Sequence, residues 1–158
     1  MRAVLLAVLL ALSACDRGGS EAEGAARAFL EQNRKEPGIK VTASGLQYKV
    51  VRAAAPNAAR PKRGDTVKVH YEGTLTDGTV FDSSYQQGVP AVFTVGALVE
   101  GWNEALQLMR VGEEWLLFVP PDLAYGEHGA GPIPPNSVLV FRMELLDVLP
   151  DEGGVQHG

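Results

Sequence analysis

The sequence predicts an α+β domain, an antiparallel sheet with one helix packed on it, and three observations carry that reading. From Gly45 onward, apolar and polar residues alternate in short runs, the period of half-buried strands. Gly/Pro-rich segments punctuate those runs. One stretch of this half, Gly101 to Met109, has helical spacing, with Trp102, Leu106 and Met109 at i, i+4 and i+7 on one stripe. A length of 158 residues accommodates one such domain and a short appendage.

The appendage comes first. Met1-Arg2 is a small positive start, and Ala3 to Leu12 is an unbroken apolar run of ten residues. A helix needs ~20 residues to span a bilayer core, so the run reads as the apolar part of a secretory signal, residues 1–14. Leu12-Ser13-Ala14-Cys15 follows, resembling the bacterial lipobox: an apolar residue, two small ones, then the cysteine that receives lipid. Cys15 is therefore the expected lipid anchor, holding the protein at a membrane without spanning it. Asp16 behind it favours the inner membrane in enteric-type bacteria.

Residues 15–44 read as a tether and a short helix. Asp16 to Ser20 is polar, and Ser20 to Glu23 has capping-box spacing. The Ala-rich stretch to Lys35 is helical, stopped by Pro37-Gly38, and its thin apolar content (Ala25, Ala26, Phe29, Leu30) means that it either survives by docking or is partly frayed.

The domain itself is expected over residues 45–149, with a flexible tail at 150–158. Leu46, Tyr48 and Val50 alternate with polar residues, as do Val67, Val69 and Tyr71. Ala53 to Pro61 is a loop. Asp77-Gly78 signals a tight hairpin, because both residues tolerate positive φ. Ser83 to Pro90 reads as a loop and Ala91 to Val95 as a short strand. Glu114 to Val119 and Val138 to Leu149 are the last strands, separated by a Gly/Pro-rich loop. Trp115, Leu117 and Val119 share one face of their strand, which leaves Leu116 and Phe118 on the other. That second apolar pair predicts a cover, for which the N-terminal helix is the candidate.

Composition narrows the chemistry. Fourteen Lys+Arg against nineteen Asp+Glu give a net charge of −5, no electrostatic footprint for nucleic acid. One cysteine excludes an intramolecular disulfide and a two-thiol redox centre. His70, His128 and His157 are too scattered for a metal cluster. There is no Gly-x-Ser-x-Gly elbow, no phosphate-cradling Gly-rich loop ending in Lys-Ser/Thr and no His-Glu-x-x-His. No metal, nucleotide or other cofactor is implied. The aromatic inventory is richer: Tyr71, Phe81, Phe93, Trp102, Tyr125 and Phe141 sit where they can converge.

A series of motifs gives those aromatics a context. Val69-His70-Tyr71-Glu72-Gly73-Thr74-Leu75, Asp77-Gly78 and Val80-Phe81-Asp82-Ser83-Ser84 come first. Val99-Glu100-Gly101-Trp102, Ala124-Tyr125-Gly126, Ile133-Pro134-Pro135-Asn136 and Leu139 to Leu146 follow. In order and spacing the series resembles the FK506-binding-protein (FKBP) family of peptidyl-prolyl isomerases. Thr42 to Tyr48 is similar to the leading segment of its macrophage-infectivity-potentiator-type branch, which often carries a longer dimerising helix than the one read here. The resemblance implies a curved antiparallel sheet wrapped around a short helix, with a shallow apolar pocket between them. Trp102 would floor that pocket, with Tyr71, Phe81, Phe141, Leu98, Val99 and Ile133 as walls. The Tyr125 hydroxyl and the Val99 amide would donate to substrate carbonyls, and Asp82 would sit at the rim. Three departures touch specificity: Ala91 where many members carry an aromatic residue, Leu123 where some carry tyrosine, and a short Glu127–Pro132 loop.

Each role has a plainer competitor. The plainer roles are core for Tyr71 and Phe141, a helix-to-sheet anchor for Trp102, a loop cap for Asp82 and a structural hydroxyl for Tyr125. His70 points to the polar face and is expected in solvent; Glu127-His128 is too small a group for a metal. The reading is an exported, lipid-anchored isomerase on the periplasmic side of a bacterial membrane. Its partners would be proline-containing polypeptides, tacrolimus-like macrolides and the membrane, with no nucleic acid. A binding module using the same pocket, or a structural lipoprotein assembling through Leu116 and Phe118, are the alternatives.

Overall fold

The computed structural model describes residues 17–149. The signal segment, Cys15 and the 150–158 tail lie outside them. The elements run α1 (Arg17–Asn33), β1 (Lys40–Val41), β2 (Gln47–Arg52), β3 (Thr66–Thr74), β4 (Val80–Ser83), α2 (Ser84–Gln87), β5 (Ala91–Thr94), α3 (Glu100–Leu108), β6 (Glu114–Val119), a 3-10 turn (Pro121–Leu123) and β7 (Leu139–Leu149). The sheet is antiparallel with order β1-β2-β6-β7-β3-β4, and β5 also pairs with β3. The α+β class expected from alternation holds.

The alternating residues meet on one face. Val67, Val69 and Tyr71 of β3, Trp115, Leu117 and Val119 of β6, and Leu139, Phe141, Met143 and Leu145 of β7 are all buried. Against them lies α3, whose Trp102, Ala105 and Leu106, with Met109 at its end, form the expected stripe. Close approach depends on Gly101: a Cβ there would stand 2.4 Å from Val119 Cγ1. Asn103, only 2% exposed, fixes the loop before the helix. Its Oδ1 accepts from the Gly96 amide at 2.8 Å and the Leu98 amide at 3.3 Å, and its Nδ2 donates to the Leu98 carbonyl at 2.8 Å.

Helix α1 reaches the outer face at Phe118, one of its apolar pair. Phe29 of α1 meets Phe118 at 6.3 Å between ring centroids, and Gln47 Nε2 donates to the Leu30 carbonyl at 3.0 Å.

Several local expectations change. Residues 17–20 are helical and not a tether, so Ser20 lies inside α1 and is no cap. β1 was too short to show alternation. Asp77 does not take positive φ; Gly78 alone does, at 89°. The turn is longer than two residues, with the Leu75 amide donating to the Thr79 carbonyl at 2.9 Å. Asp77 Oδ1 accepts from the Thr79 amide at 2.8 Å, a contact that holds its carboxyl below the ordinary range. The loop after β4 contains α2, capped by Ser83, whose side chain accepts from the Gln86 amide, and closed by Gly88 at φ 74°.

Candidate active site

β3, β4, β5, β7 and α3 bring rings together at one end of the concave face. The indole of Trp102, 5% exposed, is met edge-on by three neighbours. Tyr71 stands 5.0 Å away at 83°, Phe93 5.4 Å at 85° and Phe141 5.1 Å at 82°. Phe81 extends the wall, 5.7 Å from Phe141 at 88°. Edge-to-face packing turns the positive ring rims toward their neighbours and is the favoured geometry of such clusters. The result is a cup-like cluster of rings packed around one buried indole. Trp102 Nε1 is buried without a hydrogen-bond partner among the described residues. An orphaned donor costs ~1–3 kcal/mol, a penalty that packing by phenylalanine would avoid.

Two backbone features build the wall. β4 pairs Gly73 with Asp82 and Thr74 with Val80, so Phe81 is an extra residue at a bulge. A regular strand would send Phe81 and Asp82 to opposite faces; the bulge turns both toward the cup. Gly73 makes room for them. A Cβ at Gly73 would lie 2.6 Å from Phe81 Cζ and 2.8 Å from Phe141 Cε1.

Polar groups gather at the rim. The Tyr71 hydroxyl donates to Asp82 Oδ2 at 2.5 Å. Burial first, then that hydrogen bond and the Asp82 charge, hold the Tyr71 phenol well above its ordinary value. Tyr71 therefore stays a neutral donor, and Asp82 is held by it instead of capping a loop. Tyr125 makes the smallest contribution to the same upward shift. Tyr125 is 42% exposed, and its hydroxyl has no hydrogen bond among the described residues, so it is no structural tie. Val99 heads α3: its carbonyl accepts from the Trp102 and Asn103 amides at 3.0 Å, while its own amide has no acceptor among the described residues. Leu98 and Val99 are half-buried against the core, and Ile133 is buried in it. Ala91 is half-buried opposite Val69 on the β5 side.

The structure thus assembles Tyr71, Phe81, Asp82, Trp102 and Phe141 directly and sets Leu98, Val99, Ile133 and Tyr125 on surrounding segments. Phe93 was missed as a wall. Its signal was present, since Phe93 and Ala91 alternate with exposed Val92 and Thr94. His70 departs from expectation. It stacks on Tyr85 at 4.7 Å, and its Nδ1 lies 2.9 Å from Ser84 Oγ. The same Ser84 oxygen accepts from the Tyr71 amide at 2.8 Å and donates to the Tyr71 carbonyl at 3.2 Å. Behind the cup lies another unforeseen group, the buried Glu114, which receives Arg52 at 3.1 Å and Arg142 at 2.5 Å. Among the described residues, no group of three His, Cys, Asp or Glu side chains could hold a metal.

A curved sheet around one helix, with rings converging on an indole, defines the FKBP class of domain. A family model of the FKBP-type peptidyl-prolyl cis-trans isomerase matches residues 57–146, and one of the domain amino terminal to it matches residues 13–50. This chain belongs to that family. It is 50% identical over 133 residues to the FKBP-type peptidyl-prolyl cis-trans isomerase FkpA of Aeromonas hydrophila, covering 84% of this chain and 49% of that one. It is 52% identical over 122 residues to the outer membrane protein MIP of Legionella longbeachae, covering 77% and 52%. The crystal structure of FkpA from Escherichia coli superposes with a TM-score of 0.81 at 43% identity, covering 86% of this chain and 63% of that one. The chain spans about half the length of the curated relatives it matches.

Proposed function

We propose that this chain is a peptidyl-prolyl cis-trans isomerase that assists folding of proline-containing polypeptides in the cell envelope. The observation that carries this reading is the edge-on arrangement of Tyr71, Phe93 and Phe141 around Trp102, with the Tyr71 hydroxyl fixed on Asp82. The isomerase domain is residues 45–149.

The chemistry asked of such a cup is modest. Uncatalysed X-Pro isomerisation crosses a barrier of ~18–20 kcal/mol and takes tens to hundreds of seconds. Reaching a turnover of ~10 per second needs only about 3–4 kcal/mol. Water bonded to the imide carbonyl strengthens the resonance that keeps the bond planar. A proline ring set on Trp102 among ring edges loses that water, which favours the twisted and less dipolar imide. The Val99 amide and Tyr125 hydroxyl are donors for flanking carbonyls and hold the chain in a turned conformation. No covalent intermediate forms, and no proton leaves the protein. The same apolar floor suits the ring of a tacrolimus-like macrolide.

The envelope setting is supported by the Ala3–Leu12 run with its lipobox-like Cys15, and by a relative whose name places it in the outer membrane. We assign Cys15 as the lipid anchor that keeps the domain on the periplasmic side of a bacterial membrane. No helix among the described residues is long and apolar enough to cross a membrane. Mass measurement of the native protein, before and after Cys15→Ser, tests the anchor. Refolding of a proline-limited protein tests the activity. The wild type accelerates the slow phase, and Asp82→Leu and Tyr125→Phe reduce that acceleration. A wild type that binds the refolding chain and leaves the slow phase unchanged would make the protein a binding module.

A further inference from the structure

Beside α1 lies a crevice of about 1210 Å³ that the cup does not use. Its apolar strip is Ala22, Ala26 and Leu30 from the helix against Pro120, Pro121 and Pro134–Pro135 from the body. Small-molecule pockets occupy ~300–1,000 Å³, so this space suits a longer occupant. Three carboxylates line it, Glu23, Asp122 and Glu127; Arg27 lies 3.5 Å from Glu23, and His128 Nε2 lies 3.6 Å from Glu127. The helix wall is held at both ends: Asn33 Nδ2 donates to Gln47 Oε1 at 2.9 Å, and Asn136 Nδ2 to the Gly19 carbonyl at 3.4 Å.

The crevice and the ring cluster share one folded segment of the chain. The Gly126 amide donates to the Pro121 carbonyl and the Asn136 amide to the Gly126 carbonyl, both at 2.8 Å, which fuses residues 121–136 into a single flap. That flap carries Tyr125 at the rim and Ile133 in the core, while its Gly126–His128 and Pro134–Asn136 stretches line the crevice. On this segment the crevice lining resumes at Gly126, next in sequence to Tyr125. It is apolar, backbone-rich and anionic.

We infer that this crevice holds the stretch of unfolded polypeptide flanking the isomerised proline, and that it favours flanks bearing lysine or arginine. The inference rests on the isomerase reading and deepens it: the cup takes the proline, and the crevice discriminates among its sequence contexts.

The test uses two proline substrates, a tetrapeptide that fills the cup alone and a lysine-flanked peptide of about twenty residues, which at ~3.3 Å per residue reaches well past the flap. It is run on the wild type, on the double variant Glu23→Lys/Asp122→Lys, and on Ala22→Trp, which fills the crevice without a charge change. The wild type prefers the long basic peptide in kcat/KM, and salt weakens that preference. Both variants keep tetrapeptide turnover and lose about fivefold of the preference, in line with a few partly exposed charge contacts. An unchanged preference in both overturns the inference. If the wild type turns over neither peptide, the isomerase reading fails, and fluorescence anisotropy of the long peptide then decides the crevice alone. Weaker binding by both variants supports it, and equal binding overturns it. A wild-type dimer that the variants dissociate in sedimentation would make a second copy the occupant and also overturn it.

Discussion

The Tyr71 hydroxyl and the Asp82 carboxylate meet at 2.5 Å, tying the central strand to the bulged strand beside it at the mouth of the ring cup. The contact has a buried donor and an exposed acceptor. Removing the exposed acceptor is therefore read chiefly in function, and removing the buried donor chiefly in stability. Asp82→Leu is expected to lower kcat/KM on a proline peptide about tenfold, equivalent to ~1.4 kcal/mol. Tyr71→Phe is expected to lower stability by ~1–1.5 kcal/mol at neutral pH, measured by urea unfolding.

The same pair sets an alkaline dependence. Burial, with the Asp82 contact behind it, raises the folded-state Tyr71 phenol above its ordinary 10.0. The folded protein binds that proton more tightly than the unfolded chain does, so the contribution is whole below pH 10 and is lost as pH climbs toward the folded value. The stability advantage of wild type over Tyr71→Phe is thus constant at neutral pH and shrinks above pH 10. Urea midpoints of both proteins across that window check it; a constant difference would place the phenol elsewhere.

Gly73 faces the Phe81–Phe141 pair with no room for a methyl group. Its backbone is not in the left-handed region, so Gly73→Ala isolates the steric effect. Overpacking of this kind costs ~1–3 kcal/mol. A lower melting temperature with a disproportionate loss of isomerase activity is expected, because the ring pair must separate.

Asn103 holds the Gly96–Leu98 loop by three hydrogen bonds from a buried position. Asn103→Ala leaves two amides and a carbonyl without partners and is expected to destabilise by about 2–3 kcal/mol. Because Leu98 and Val99 ride on that loop, KM should rise more than kcat falls. Steady-state kinetics beside an unfolding curve separate the two effects.

Phe29 docks α1 on Phe118. Phe29→Ala is expected to release the helix at a local cost of ~1–2 kcal/mol, leaving the domain and its tetrapeptide turnover intact. Limited proteolysis in the 34–39 turn should quicken while the urea midpoint stays.

Alternation made the sheet legible, and the Trp102, Leu106, Met109 spacing made α3 legible, because both reflect a buried face repeating over many residues. The motif series pointed to the aromatics that converge. What escaped are features that break a period. The bulge at Phe81 turns two successive side chains one way, which no alternation shows. His70 sits on the polar side of its strand, yet α2 folds over it and supplies Tyr85 and Ser84. The start of α1 escaped because Ser20 has capping spacing but lies within the helix, where glycines on both sides masked helicity. The crevice beside α1 depends on how two distant segments dock, which no local pattern encodes.

The central claim is that rings around Trp102 lower the imide barrier by keeping water from it. Exchange spectroscopy of a proline tetrapeptide, with catalytic amounts of protein and the Trp102 indole resonance followed alongside, tests it most directly. The account predicts that cis-trans exchange speeds up, that the indole resonance moves with peptide concentration, and that Trp102→Ala abolishes both without unfolding the sheet. Undiminished exchange in that variant, or acceleration with an indole that never senses the peptide, would contradict it.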